Sequence, residues 1–311
     1  MKFRVLILLI TMFSFFTCFS QAITDILSPT RHHNKIDDIE NAKQIQALLK
    51  SIDKRYSDFK VIDPSASTDK NCNFFFDSLK IKSYTKADFD NNGYTDILVI
   101  GQWSHPSIVC IFDNGGNKFS INRLTRRSFQ DCSFPVVTMN GTQPFIDYYY
   151  FKEPEDWRQY DTSITLQSKK LIYKFGDFIE YNDLAKNYNI QKIEYETTMC
   201  FGTCPVFKLT INSDHFAKYD ALKFNKPDGE FNGTIDAKTY SELVELLNYI
   251  DFPNLKENYS VGWTDDQTCT LKITYDNGKT KTITDYGKIG TYGLDRVYSI
   301  LFSLRQNQKW K

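Results

Sequence analysis

Residues 269–285 read CTLKITYDNGKTKTITD, two alternating runs joined by Asp276-Asn277-Gly278-Lys279. Asn-Gly at the centre of a short connection is a strong signal for a tight β-hairpin, because both positions accept a positive φ. Alternation of apolar and polar side chains predicts strands with one buried face. The stretch therefore predicts an antiparallel pair of strands, 269–275 with 279–285, in the second half of the chain.

The segments around this hairpin extend the pattern over residues 190–311. Strands are predicted at 191–198, 206–212 and 215–222, ahead of a helix for which Asp236 is the expected N-cap. Apolar residues at helical spacing predict a last helix after the hairpin. The predicted order is βββ-α-ββ-α. Segregated strands and helices favour an α+β fold, an antiparallel sheet with both helices on one face.

The first half of the chain predicts a second β-rich unit. Apolar residues at helical spacing predict an amphipathic helix over 37–56, and strands follow from Phe74 to about Tyr181. Asn114-Gly115-Gly116 and Asn140-Gly141 mark turns between those strands. We therefore expect two units, 37–182 and 190–311, with a junction near residue 185.

The N-terminus has the order of a secretory signal. Lys2 and Arg4 precede an apolar run over 5–16, and polar or small residues end it near Ala22. The run is shorter than the roughly 20 apolar residues of a membrane span. Residues 1–22 are thus predicted to be a signal peptide of a periplasmic or secreted protein. Lipid anchoring through Cys18 is the alternative, and no other segment predicts a span.

Composition narrows the classes of partner. Lys plus Arg and Asp plus Glu number 38 each, so the formal net charge is zero. The sequence has no basic stripe with interleaved aromatic residues, which argues against a nucleic-acid partner. It also shows no HExxH motif and no Ser-His-Asp order, so no catalytic residue is predicted.

Six of the seven cysteines follow the signal peptide. Export to an oxidising compartment makes disulfides the default expectation. Three cysteines lie in each half of the chain, so either one bridge joins the halves or two thiols stay free. The candidates for pairing are Cys72, Cys110, Cys132, Cys200, Cys204 and Cys269.

The segment 88–98 reads DFDNNGYTDIL and is typical of a calcium loop. Asp88, Asp90 and Asn92 alternate, Gly93 allows the turn, and the Tyr94 carbonyl and Asp96 carboxylate complete a set of hard oxygen ligands. The loop is not an EF-hand, because its twelfth residue is Val99 and not Glu. It resembles the DxDxNGxxD loop of the FG-GAP or VCBS β-propeller repeats. That resemblance implies a structural calcium ion; the alternative is a turn closed by its own hydrogen bonds.

The segment 200–205, CFGTCP, lies between two predicted strands. The chain from about 190 to 310 resembles an uncharacterised bacterial secreted domain family that carries a C-x-G-x-C-P motif. That resemblance implies a domain boundary and no reaction. A structural disulfide is the main interpretation of Cys200 and Cys204, with soft-metal binding and thiol exchange as alternatives.

Taken together, these patterns predict an exported, non-enzymatic binding or structural protein with a calcium-stabilised first unit and an unknown extracytoplasmic ligand or protein partner. Two alternatives stay open. One is an exported hydrolase whose site is built from acidic residues such as Glu153, Asp156 and Asp266. The other is a thiol-dependent metal or redox protein that uses Cys200 and Cys204.

Overall fold

The computed structural model describes residues 30–64, 70–126, 133–151 and 166–311, without the side chains of 70–73. The predicted signal peptide and Cys18 lie outside these residues. The described residues form a β-rich α+β fold, with three largely antiparallel sheets and few helices. Within the described ranges, every helix is too short or too polar to traverse a lipid bilayer.

The first sheet packs beneath helix α1. The helix is α1 (Ala42–Ile52), and the five strands of the sheet are β1 (Lys60–Val61), β2 (Tyr84–Ala87), β3 (Asp96–Gln102), β4 (Pro106–Asp113) and β5 (Phe119–Arg123). Strands β1 and β2 both pair with β3, and β4 and β5 follow in order. Helix α1 is shorter than the predicted 37–56, because the Asn41 side chain caps it and the chain is extended again at Asp53. Ile45 and Leu49 bury its inner face.

The second sheet is a four-stranded meander of β6 (Ser133–Asn140), β7 (Gln143–Phe151), β8 (Leu166–Lys174) and β9 (Asp177–Glu180). Helix α2 (Lys70–Leu79) packs on it, with Phe76 against Phe134 at 5.3 Å between ring centroids. The expectation of strands from Phe74 onward was wrong here. A run of phenylalanines suits a strand by propensity, but burial of Phe75 and Phe76 against Phe134 and its neighbours favours the helix.

The third sheet has seven strands in the order β13-β12-β11-β10-β15-β16-β14. Its strands, and the two helices that belong to the same region, are in chain order β10 (Ile190–Thr197), β11 (Val206–Asn212), β12 (Phe216–Lys223), β13 (Gly229–Thr234), α3 (Ala237–Tyr249), β14 (Asn258–Ser260), β15 (Thr268–Tyr275), β16 (Lys279–Tyr286) and α4 (Tyr292–Asn307). Tyr195, Phe207 and Leu271 of the strands share one core with Leu246 and Leu301 of the helices.

The observed order differs from βββ-α-ββ-α by two strands. Strand β13 has two glycines and one large apolar residue, Phe231, so its sequence carries little strand signal. Strand β14 is three residues long and pairs in parallel with β16. Both strands form at sheet edges, where backbone pairing with an existing strand replaces the missing sequence pattern. The hairpin β15–β16 and the Asp236 cap of α3 form as predicted.

The start of α4 joins the first two sheets to the third. The Glu180 carboxylate of β9 accepts hydrogen bonds from the backbone N–H groups of Tyr292 and Gly293, at 2.9 and 3.0 Å. The Tyr292 hydroxyl donates to the Leu124 carbonyl at 3.0 Å. Arg126 donates to the Gly290 carbonyl at 2.8 Å. The N–H groups in the first turn of a helix have no hydrogen-bond acceptor within the helix. The Glu180 carboxylate therefore supplies the acceptors that two of these groups in α4 lack.

Candidate functional site

The loop between β2 and β3 brings three carboxylates together. Ligand oxygens of Asp88, Asp90 and Asp96 all lie within 4.8 Å of one another. Asp96 opens β3 and has no exposed surface, while Asp88 and Asp90 are partly buried. These three residues are called the Asp96 cluster below.

Backbone N–H groups hold the carboxylates of the cluster in place. Asp88 accepts from the N–H groups of Asn92 and Gly93, at 3.0 and 2.9 Å. Asp96 accepts from Phe89 at 2.8 Å and from Asp113 at 3.0 Å. Gly93 has a φ of 87°, a conformation that glycine adopts without strain. The loop therefore wraps its backbone donors around the acidic groups.

The cluster is electrostatically unfavourable without a cation. Burial, followed by the nearby Asp90 and Asp88 carboxylates, raises the pKa of Asp96 to about 8 although two backbone N–H groups oppose the shift. Burial and the charge of Asp88 raise the pKa of Asp90 to about 6. Desolvation and like charge both disfavour the ionised carboxyl, so a bound cation would relieve both.

The two other predicted ligands lie beside the cluster. The Asn92 amide nitrogen donates to the Asp90 carboxylate at 3.1 Å, and the Asn92 amide oxygen accepts from the Tyr94 N–H at 2.7 Å. The Tyr94 ring stacks on the His32 ring, with 5.0 Å between centroids. The Asn92 amide oxygen thus already accepts one hydrogen bond. The Tyr94 ring also holds the segment around His32 against the loop.

Two supporting residues were missed by sequence reasoning. The His32 N–H donates to the Gly93 carbonyl at 2.8 Å, so the segment around His32 lies along the loop. The Asp113 carbonyl accepts from the Asn92 amide at 2.8 Å. Both contacts join residues that are distant in sequence, and near Asp113 the sequence shows only the Asn114-Gly115-Gly116 turn signal.

The CFGTCP segment connects β10 to β11 and contains a disulfide between Cys200 and Cys204, with a Cα–Cα distance of 5.7 Å. The Phe201 N–H donates to the Asp265 carbonyl at 3.0 Å, and the Phe201 side chain is 88% exposed. The loop is thus closed by the bridge and attached to the loop before β15.

Cys110 and Cys269, which the sequence offered as candidates for pairing, are free thiols. Both are fully buried, on β4 and β15. The Cys269 sulfur lies 3.0 Å from the Tyr195 hydroxyl, and burial raises the pKa of its thiol to about 11. Each occupies a core-facing strand position, where a cysteine packs as a small apolar residue.

Three predicted residues fall outside the described ranges, namely Cys132, Glu153 and Asp156, together with the side chain of Cys72. The remaining acidic candidate, Asp266, accepts from the Trp263 indole N–H at 2.8 Å, and its neighbour Asp265 is exposed.

Comparison with known proteins identifies one family match. Residues 191–305 match a family described as a domain of unknown function, DUF6438. No curated protein and no solved structure matches the chain. The match runs from β10 into α4 and therefore covers most of the third sheet and both of its helices.

Proposed function

We propose that this is an exported, non-enzymatic binding or structural protein whose first unit is stabilised by a calcium ion held at the Asp96 cluster. The observation that carries the proposal is the convergence of three carboxylates within 4.8 Å around a fully buried Asp96. Such a group is costly when empty, because burial and mutual repulsion both act against its charge.

The chemistry of the donors favours calcium. The cluster offers carboxylate oxygens from Asp88, Asp90 and Asp96, with the Asn92 amide oxygen and the Tyr94 carbonyl adjacent in the same loop. Hard oxygen donors from a short, tightly turned loop suit calcium, whereas zinc prefers nitrogen and sulfur. Each carboxylate oxygen that accepts one N–H retains a second lone pair for a metal. The resemblance to the DxDxNGxxD loops of FG-GAP or VCBS repeats supports the same ion.

The position of the cluster supports a structural role. Asp96 begins β3, and its carboxylate accepts from the Asp113 N–H at the end of β4. Phe89, within the loop, packs on Phe178 of β9 at 5.5 Å between ring centroids. An ion here would fix the loop against two sheets, and the absence of exposed surface on Asp96 leaves little access for a substrate.

Two features support export. The N-terminal sequence has the order of a secretory signal. The Cys200–Cys204 disulfide is typical of an oxidising compartment. Outside the cytoplasm we expect the site to bind calcium as weakly as other extracellular modules do, with a Kd of about 0.1–1 mM.

Calorimetric titration of calcium into protein stripped with EGTA tests the proposal. We expect one ion per chain in the wild type and weaker binding of magnesium, which demands stricter octahedral geometry. Asp96→Asn should abolish the binding heat. Asp177→Asn is the matched control, because Asp177 is also a carboxyl whose pKa is raised by burial but lies outside the cluster. A wild type that takes up no calcium, or an Asp96→Asn variant that binds like the wild type, would refute the proposal.

A further inference from the structure

A cleft of about 580 Å³ opens between the β12–β13 side of the third sheet and the C-terminal end of α4. Its lining includes Arg305 and Lys226 with the aromatic rings of Phe224, Phe231 and Trp310. It is called the Arg305 cleft below. Its volume is in the range of pockets that hold small organic ligands.

Arg305 is oriented before any ligand arrives. Its guanidinium lies 3.9 Å from the centroid of the Phe302 ring and 5.1 Å from that of Phe207. Its Nε–H donates to the Phe302 carbonyl at 3.1 Å, and Nη1 donates to the Asn225 amide oxygen at 3.2 Å. The Tyr219 hydroxyl also forms a hydrogen bond with Arg305. A guanidinium has five N–H donors, so two are left for another acceptor.

The charge of Arg305 has no close anionic partner within the described parts of the chain. No carboxylate there lies within 4.0 Å of its guanidinium, whereas Arg296 of the same helix pairs with Glu242 at 2.9 Å. The residues that line the cleft include the cations Arg305 and Lys226 and no aspartate or glutamate. A planar, half-buried guanidinium of this kind is suited to bidentate binding of a carboxylate.

The remaining side chains that line the cleft indicate which chemical groups the rest of the ligand carries. The buried Tyr219 ring packs against the rings of Trp310 and Phe231, at 5.1 and 5.9 Å between centroids. The partly exposed rings of Trp310 and Phe231 form the aromatic floor of the cleft. Side-chain amides come from Asn225, Gln306 and Gln308. Aromatic faces accept the apolar C–H face of a sugar ring, and amides can both donate to and accept from its hydroxyls.

We propose that the Arg305 cleft binds a sugar acid, a pyranose ring that carries a carboxylate, either free or as a unit of an acidic polysaccharide. The carboxylate pairs with Arg305, Lys226 adds to the positive field, and the ring rests on the aromatic floor. The proposal names a ligand class for the binding role stated above and rests on that role, but it does not depend on the calcium loop.

Titration of trigalacturonate against the full mature chain, followed by calorimetry and by tryptophan fluorescence, tests this assignment. We expect saturable binding at concentrations up to about 10 mM, in the weak range typical of small ligands. Arg305→Gln should weaken binding at least about tenfold through loss of a charge-assisted pair. The affinity of Arg305→Lys should lie between those of the wild type and Arg305→Gln. Lys226→Gln, at an exposed position, should weaken it several-fold and keeps the test decisive if the arginine variant does not fold. Lys279→Gln makes the same charge change on the distant β15–β16 hairpin and should bind like the wild type.

Three results would overturn the sugar-acid assignment. The first is no saturable binding to folded wild-type protein. The second is equal binding of the methyl ester of trigalacturonate, in which the carboxylate charge is absent. The third is binding of a short peptide through its C-terminal carboxylate in place of the sugar. Recovery of the sugar in cleaved form would support the cleft but overturn the non-enzymatic function, and a missing calcium response with intact sugar binding would count against the calcium site alone.

Discussion

Replacement of Asp90 by asparagine should reverse the order of stability between variant and wild type when calcium is added. Without calcium, the Asp90 carboxylate lies among like charges and its pKa is raised from 3.8 to about 6. At pH 7.5 the ionised form therefore costs about 1–2 kcal/mol, a figure that allows for solvent screening of a partly buried group. Removal of the charge should raise the melting temperature by roughly 2–8 °C.

Calcium should change the sign of this difference. An ion present at about 100 times its Kd stabilises the wild type by about 2.7 kcal/mol, or roughly 5–10 °C for a chain of this size. Asp90→Asn loses one charged ligand, so its calcium affinity and its gain in melting temperature should both fall. The variant is then the more stable protein in EGTA and the less stable protein in 10 mM calcium, a concentration of about 100 times a Kd of 0.1 mM.

Differential scanning fluorimetry and circular dichroism of both proteins, with and without calcium, measure the four melting temperatures. Asp177→Asn serves as the control, because it removes another carboxyl of raised pKa without touching the cluster. Its calcium-induced shift should equal that of the wild type. An Asp90→Asn variant that melts below the wild type in EGTA would show that repulsion is not the dominant cost. An unchanged calcium shift would show that Asp90 is no ligand.

Four further outcomes follow from the described contacts. In EGTA, folded Asp96 holds its proton up to a pH of about 8 while the unfolded group loses it near 3.8, so stability should fall as pH rises through this window, and the calcium-induced shift in melting temperature should grow from pH 5 to pH 8. Cys200→Ser together with Cys204→Ser opens a loop of sequence separation 4 and should cost about 2 kcal/mol on the chain-entropy model, seen as a lower denaturation midpoint in urea. Glu180→Ala leaves two N–H groups of α4 without their acceptor and should cost about 1–3 kcal/mol, whereas Glu180→Gln keeps one acceptor and should cost less in the same urea titration. The buried Cys269 thiol should resist a thiol reagent such as DTNB until the protein is unfolded, and rapid labelling of the native protein would contradict its burial.

Local sequence signals predicted the elements that depend on local physics. Asn277-Gly278 fixed the β15–β16 hairpin, because few residues adopt the positive φ values of 64° and 87° found there. Asp236 caps α3 through the Thr239 N–H at 3.0 Å, a contact within one turn. By contrast, β13 exists because its backbone pairs with β12, and its own residues, which include Gly229 and Gly233, carry almost no strand propensity.

The difference between local and long-range contacts also explains which parts of the Asp96 cluster and the Arg305 cleft could be predicted. The acidic residues of the Asp96 cluster lie within nine residues of one another, so their spacing was visible in the sequence. The Asp113 N–H that holds Asp96, and the His32 segment that lies along the loop, arrive from distant parts of the chain. The Arg305 cleft was not predicted, because Arg305 and Lys226 become neighbours only when α4 packs over the third sheet.

The contact between Glu180 and the start of α4 affects where the C-terminal region can be cut out as an independently folding fragment. The residues that match the family begin at 191, so the anion at the helix start belongs to a segment upstream of it. A fragment cut at residue 190 keeps the Thr291 side chain as acceptor for the Leu294 N–H but exposes the Tyr292 and Gly293 N–H groups to solvent. Transplantable versions of the domain should begin ahead of β6, so that the four-stranded meander that carries Glu180 stays intact.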